Sequence, residues 1–228
     1  MKIHFHGAAQ TVTGSAHYIE VNGHKLLLDC GLFQGRRAEA RKINREFRFP
    51  PHEIDAVILS HAHIDHSGNL PNLVKSGYGG AIHATSATED LSNVMLLDSG
   101  HIQEYDAQWV NKKRARKGEP PIEPLYTQED AAAIADHFVT QSLEAPFEPI
   151  PGVIATFHEA GHILGSAAIR LQVDEGGGKK TSLWFSGDVG RPHLPIIRDP
   201  KLPFDSDYLI MECTYGDRPH ESPAKWED

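Results

Sequence analysis

Apolar and polar positions alternate over Lys2–His6 and give out in a glycine–alanine turn, the two-residue period of a strand. The runs SAHYIEV and HKLLLDCG are joined by Asn22-Gly23, a pair that favours a tight hairpin. The segment at 36–48, RRAEARKINREFR, is basic and in part helical, and IDAVILS at 54–60 reads as a buried strand. NLPNLVKSG predicts a short helix closed by Gly77, followed by the strand AIHAT. Over 87–117 apolar residues recur every three or four positions, which predicts a long helix starting near Thr88. EPPIEP breaks that pattern, and TQEDAAAIADHFV predicts a capped helix beginning near Thr127 or Gln128. Four strand-like runs follow: GVIATFHEA, SAAIRLQVDE, TSLWFSGDVG and DYLIMECTYG, with the loop GGGKK between the second and third. There is no internal repeat. Strands, then helices, then strands predict an α/β sandwich of two mixed β-sheets with helices outside.

Composition narrows the class. The 228 residues suffice for one large domain or two small ones, and 39% hydrophobic with 23% charged residues is ordinary for a globular chain. No apolar run is long enough to span a bilayer, and the N-terminus lacks the apolar core of a signal peptide, so a cytoplasmic protein without a membrane partner is expected. A net charge of −9 argues against a surface that traps polyanions everywhere, but leaves room for a local basic patch. Cys30 and Cys213 offer neither a disulfide framework nor a CxxC zinc motif, and both are expected to be small buried side chains.

Fifteen histidines shift attention to metal. His61, His63, Asp65 and His66 crowd into VILSHAHIDHSGNL, directly after a strand, and Asp29, His162, Asp188 and Glu212 also sit just past apolar runs. Such recurrence predicts one sheet edge where loops converge, the usual place for reactive groups. Extended residues alternate sides, so His61 and His63 can face one point, and neutral imidazoles suit zinc. His162 is the candidate third ligand. Asp65 and His66, after a bend, can face a neighbouring point, and the two oxygens of Asp188 can serve both. His17, His24, His52 and His83 read as ordinary side chains, His101 and His137 as surface or satisfied groups in helical stretches, and His158 as a structural residue that could line the site.

SHAHIDHSG, LLDCG, GHILGS and FSGDVG, in that order, resemble the metal-site motifs of the metallo-β-lactamase fold superfamily, and GAAQTVTGSAHYI, DCGLFQG, GHILGSA and MECTYGDR resemble its β-CASP branch of RNA-processing nucleases. The resemblance implies an αββα sandwich, two zinc ions, RNA as substrate, and hydrolysis of phosphodiester bonds by a two-zinc-activated hydroxide. It implies His61, His63 and His162 at one zinc, Asp65 and His66 at the other, Asp188 between them, Asp29 orienting ligands, Asp65 accepting the water's proton, and Glu212 positioning a histidine or a proton. Cys213 stands where the branch usually has serine. The branch continues into a β-CASP domain, which this chain would begin to enter near 212–228, and then returns with further histidines. The expectation is therefore that residues 1–228 are the N-terminal metallo-β-lactamase part of a longer protein, with an incomplete and weaker second zinc position. Lys112, Lys113, Arg114, Arg116 and Lys117 are candidates for contacting RNA phosphates, although cations also suit a helix C-terminus. Two other readings stand beside this one: a hydrolase of lactones, thioesters or β-lactams on the same fold, and a non-catalytic subunit of an RNA-processing complex. Endo- or exonucleolytic action and a homodimer are left open.

Overall fold

The computed structural model describes residues 1–217 except Gly177 and Lys179. Residues 218–228, where the resemblance would lead into a further domain, lie outside the described residues.

Two sheets form the molecule. The first runs in the order β1 (Lys2–Phe5), β2 (His17–Val21), β3 (His24–Leu28), β4 (Ala56–Ile58), β5 (Ala81–Ala84) and β6 (Phe138–Thr140). Its first three strands are antiparallel and the last four parallel. The second sheet holds β7 (Pro146–Ile150), β8 (Val153–Glu159), β9 (Ala167–Asp174), β10 (Lys180–Phe185) and β11 (Tyr208–Ile210), antiparallel except where β11 joins β10. The predicted hairpin is β2–β3, with Asn22 and Gly23 both at positive φ, as its two-residue turn demands.

The period of two decides which face each residue covers. Leu26, Leu28, Ala56 and Ile58 point inward against Phe157, Ile169, Leu171 and Leu183 of the second sheet. Leu27, Val57 and Ile82 point the other way, against Leu70 and Leu73 of helix α3 (Leu70–Lys75). Burying each such side chain contributes about 1.5–3 kcal/mol, so a one-residue register slip would exchange two cores at once.

Helix α1 (Arg37–Arg45) precedes β4, and the short α2 (Ile64–Ser67) follows it. The long helix α4 spans Ser86–Ala115. It starts at Thr85, whose hydroxyl accepts the Thr88 N–H, three residues ahead of the start the sequence suggests. Helix α5 (Gln128–Ala132) opens on a capping box between Thr127 and Asp130. It runs only to Ala132: the chain tightens into a 3-10 turn over Ala133–His137, and Phe138–Thr140 pairs with β5 as a strand. Cys30 is buried as expected, whereas Cys213 is exposed, because it lies beyond the end of edge strand β11. Among the described residues no helix is long and apolar enough to cross a membrane.

Candidate metal centre

The sheet edges deliver the chemistry. Asp29 leaves β3, His61 and His63 follow β4, Asp65 and His66 lie on α2, His162 follows β8, Asp188 follows β10 and Glu212 follows β11. Nε2 of His61 lies 3.2 Å from Nδ1 of His63, and Nε2 of His162 lies 3.1 Å from the same Nδ1. Asp188 Oδ2 is 3.7 Å from His61 Nε2 and 3.4 Å from His162 Nε2. Donors placed about 2.0–2.1 Å from a tetrahedral metal are about 3.3–3.4 Å apart, so this spacing fits one. The four residues offer donor atoms all within 4.8 Å of one another. The other oxygen of Asp188, Oδ1, is 3.1 Å from Nε2 of His66. One carboxylate thus faces the three histidines on one side and His66 on the other, with Asp65, half-buried, the residue before His66 on α2.

Electrostatics set the two sides apart: His61 and His162 are neutral donors, whereas His66 must give up a proton before it can bind a metal. Burial and the neighbouring His66 push His61 well below the ordinary imidazole range, and burial likewise lowers His162, so both present neutral nitrogens. Burial also works against a charged His66, but Asp29 and Asp188 override it and push that imidazole up to about 10. Asp188 is itself held far below the usual carboxylate range: burial opposes the charge, and the hydrogen bond and charge of His66 more than offset it.

Asp29 is fully buried and its carboxylate is saturated. Oδ1 accepts the Ser60 N–H at 2.8 Å, and Oδ2 accepts the hydroxyls of Ser15 and Ser60, each at 3.0 Å, and Nδ1–H of His66 at 2.7 Å. A carboxylate only accepts, so Ser60 gives it its one proton. The hydroxyl then accepts from Nδ1 of His61, 3.0 Å away, which leaves Nε2 of His61 bare toward the cluster. Asp29 therefore orients His66 directly and His61 through Ser60, and reaches no substrate itself. Its φ of 58° is left-handed, a conformation aspartate tolerates better than most residues. Glu212 accepts the Val189 N–H at 2.9 Å and so braces the loop carrying Asp188, while its charge acts on His162.

The metallo-β-lactamase superfamily profile matches residues 10–169. The chain belongs to the metallo-β-lactamase superfamily. Within it, the chain is 38% identical over 221 residues to "Ribonuclease TTHA0252" of Thermus thermophilus, covering 96% of this chain and 45% of that protein. It is 29% identical over 217 residues to "Transcription termination factor FttA" of Methanocaldococcus jannaschii, covering 95% of this chain and 32% of that protein. The chain thus spans less than half of the length of these relatives, 45% of one and 32% of the other.

Two glycines hold the loops of this superfamily site together. A Cβ on Gly31, just after Asp29, would stand 1.6 Å from the carbonyl oxygen of Asp65, and one on Gly190, just after Asp188, would stand 1.5 Å from that of Gly161. Ser15, Ser60 and both close approaches escaped the sequence reading; the one available signal was that Ser60 directly precedes His61.

The other named residues lie elsewhere. His158 hydrogen-bonds Glu144 and stacks on Trp184, away from the cluster, as a structural residue. Of the five basic residues, Lys112, Lys113 and Arg114 occupy the last turn of α4, Arg116 caps it and Lys117 follows, none of them in the cluster. Arg114 pairs with Glu119 at 3.0 Å, and Nζ of Lys113 sits 3.5 Å over the ring of Trp109.

Proposed function

We propose that this chain carries the catalytic centre of a zinc-dependent phosphodiesterase that cleaves RNA in the cytoplasm. The observation that carries the reading is the two-sided carboxylate of Asp188, with three histidine nitrogens on one side and His66 on the other. This suits a pair of metal ions, and the naming of one relative as a ribonuclease supports RNA as the substrate. His61, His63, His162 and Asp188 would hold one zinc, and Asp65, His66 and Asp188 the second. When bound, the ions lower the pKa of water and stabilise charge growing on phosphate oxygens.

The chain's own residues do the rest. Asp65, half-buried at the mouth of α2, accepts the proton of the attacking water. Asp29 fixes the tautomer of His66 and, through Ser60, of His61. Glu212 keeps Asp188 in place by holding the Val189 amide. Lys112, Lys113, Arg116 and Lys117 contact phosphates away from the bond that breaks, while Arg114 is partly engaged by Glu119.

The test is metal analysis by mass spectrometry on wild type and His61→Ala, followed by hydrolysis of a chromogenic phosphodiester, RNA and a thioester. Zinc in the wild type that falls in the variant, with phosphodiester and RNA turnover, is expected. Thioester turnover without phosphodiester turnover would replace the nuclease reading with a small-molecule hydrolase.

A further inference from the structure

Helix α4 breaks the usual rule for a surface helix. Its inner face buries Leu96, Gly100 and Ala107, so its opposite face should be polar. Steps of three and four residues along that outward face meet Val94, His101, Tyr105, Trp109, Lys112 and Arg116. Val94 is 67% exposed, Tyr105 65% and Trp109 46%. Asp98, the one acid in this row, lies nearer the start of the helix. From Ala107 to Gly118 there are five basic residues and no acidic one. The helix dipole accounts for cations in the last turn, but not for two large rings left in solvent just before them.

We infer that the outward face of α4 is a docking surface for single-stranded RNA, with bases stacking on Tyr105 and Trp109 and phosphates meeting Lys112, Lys113 and Arg116. Charge complementarity selects this occupant. Exposed flat rings beside Lys112, Lys113 and Arg116, which have no ion pair among the described residues, match a chain that alternates flat bases with anions, and base–aromatic stacking of this kind is worth about 1–3 kcal/mol per base. A duplex hides its base faces, so the rings select the single strand. Nζ of Lys113, 3.5 Å over the Trp109 ring, already places a cation on the platform.

The surface also has a fixed relation to the metal centre. The hydroxyls of Thr85 and Thr88, at the start of α4, donate to the carbonyl of Gly165 at 2.7 and 2.9 Å, three residues past His162. Trp109 lies 23 residues beyond Ser86, about 35 Å along the axis at ~1.5 Å per residue. A stacked strand rising ~3.4 Å per nucleotide spans that distance in about ten nucleotides. The inference rests on the nuclease reading for its link to the cut, though RNA binding is measured without it.

The experiment titrates metal-free protein with a single strand of about 20 nucleotides, a strand of about six, and the duplex of the longer one, following tryptophan fluorescence and, for variants lacking Trp109, anisotropy of labelled RNA. The long strand is expected to quench Trp109. Trp109→Ala should weaken its binding about tenfold, with Trp109→Phe restoring most of it and both variants keeping the wild-type circular dichroism. Lys112→Gln with Arg116→Gln should flatten the salt slope by about 1.4. Equal binding by wild type, Tyr105→Ala and Trp109→Ala, or an equal loss for the duplex, overturns the inference. Hydrolysis of the chromogenic phosphodiester by the wild type is read in parallel. If it fails while Trp109-dependent binding persists, the nuclease reading falls and the surface stands; if it succeeds while binding ignores both rings, the surface alone falls.

Discussion

The molecule contains two histidine–carboxylate pairs that look alike at the first bond and differ at the second. In one, His66 gives Nδ1–H to Asp29 at 2.7 Å; in the other, Nδ1 of His158 lies 2.9 Å from Glu144. The far nitrogen of His66 meets Asp188 at 3.1 Å, among other donors. The far nitrogen of His158 is buried with no hydrogen-bond partner among the described residues, its ring stacked 4.9 Å from Trp184 and edged by Phe204. The carboxylates differ too. Asp29 is sealed in and saturated, whereas Glu144 is half exposed and also pairs with Lys201 at 2.7 Å. A carboxylate behind a histidine thus prepares a ligand only when the opposite nitrogen opens onto further donors; otherwise the pair simply anchors a ring on the sheet.

That contrast is broken most severely by removing a donor. His61→Ala or Asp188→Ala should lower metal affinity by more than the ~10–100-fold that supporting hydrogen-bond partners are worth, measured by calorimetry against a zinc chelator. Asp29→Asn keeps the shape but takes the charge from behind His66. It should cost about 10–100-fold in metal affinity and lower the melting temperature of the metal-free protein.

The pH dependence of that metal-free protein sharpens the same point. His66 is held protonated above its ordinary 6.5, so its stabilisation is complete below that value and disappears as pH rises through about 10. Asp188, held low, contributes stability that is complete above the ordinary carboxylate range and lost only on strong acidification. Thermal melts should therefore lose stability on the alkaline side, and His66→Gln should flatten that loss. A smaller effect is expected from Ser60→Ala, about tenfold in metal affinity, with Ser60→Thr retaining wild-type binding and the His61 tautomer read by nitrogen NMR. The smallest belongs to the other pair: Glu144→Gln should leave metal affinity unchanged and cost about 1 kcal/mol in denaturant unfolding, since Glu144 is well solvated.

Much of this was legible in the sequence where periodicity was strong. The Asn22-Gly23 hairpin, strands β8–β10 and the long helix all announce themselves by spacing. Strands β6 and β7 do not. FVT follows a helix-like ADH and becomes a strand because β5 offers it a partner, and PFEPI carries two prolines that fit only an edge. At the site the ligand types were readable and the ligand atoms were not: that His63 turns Nδ1 to the cluster while His61 and His162 turn Nε2 depends on loop geometry after β4 and β8. The role of Ser15 was invisible, because it comes from a loop 14 residues before Asp29 and meets it only through the fold.

The two glycines at the loop crossings lead to a statement about sequence tolerance. Gly31 and Gly190 have no side chain and take no part in proton or metal chemistry, yet each lies with a neighbouring backbone oxygen where a methyl group would stand. In a library that randomises every position and selects for metal retention, these two sites should be as unforgiving as His61 itself. A scan of that kind would draw the outline of the centre in residues that never touch it.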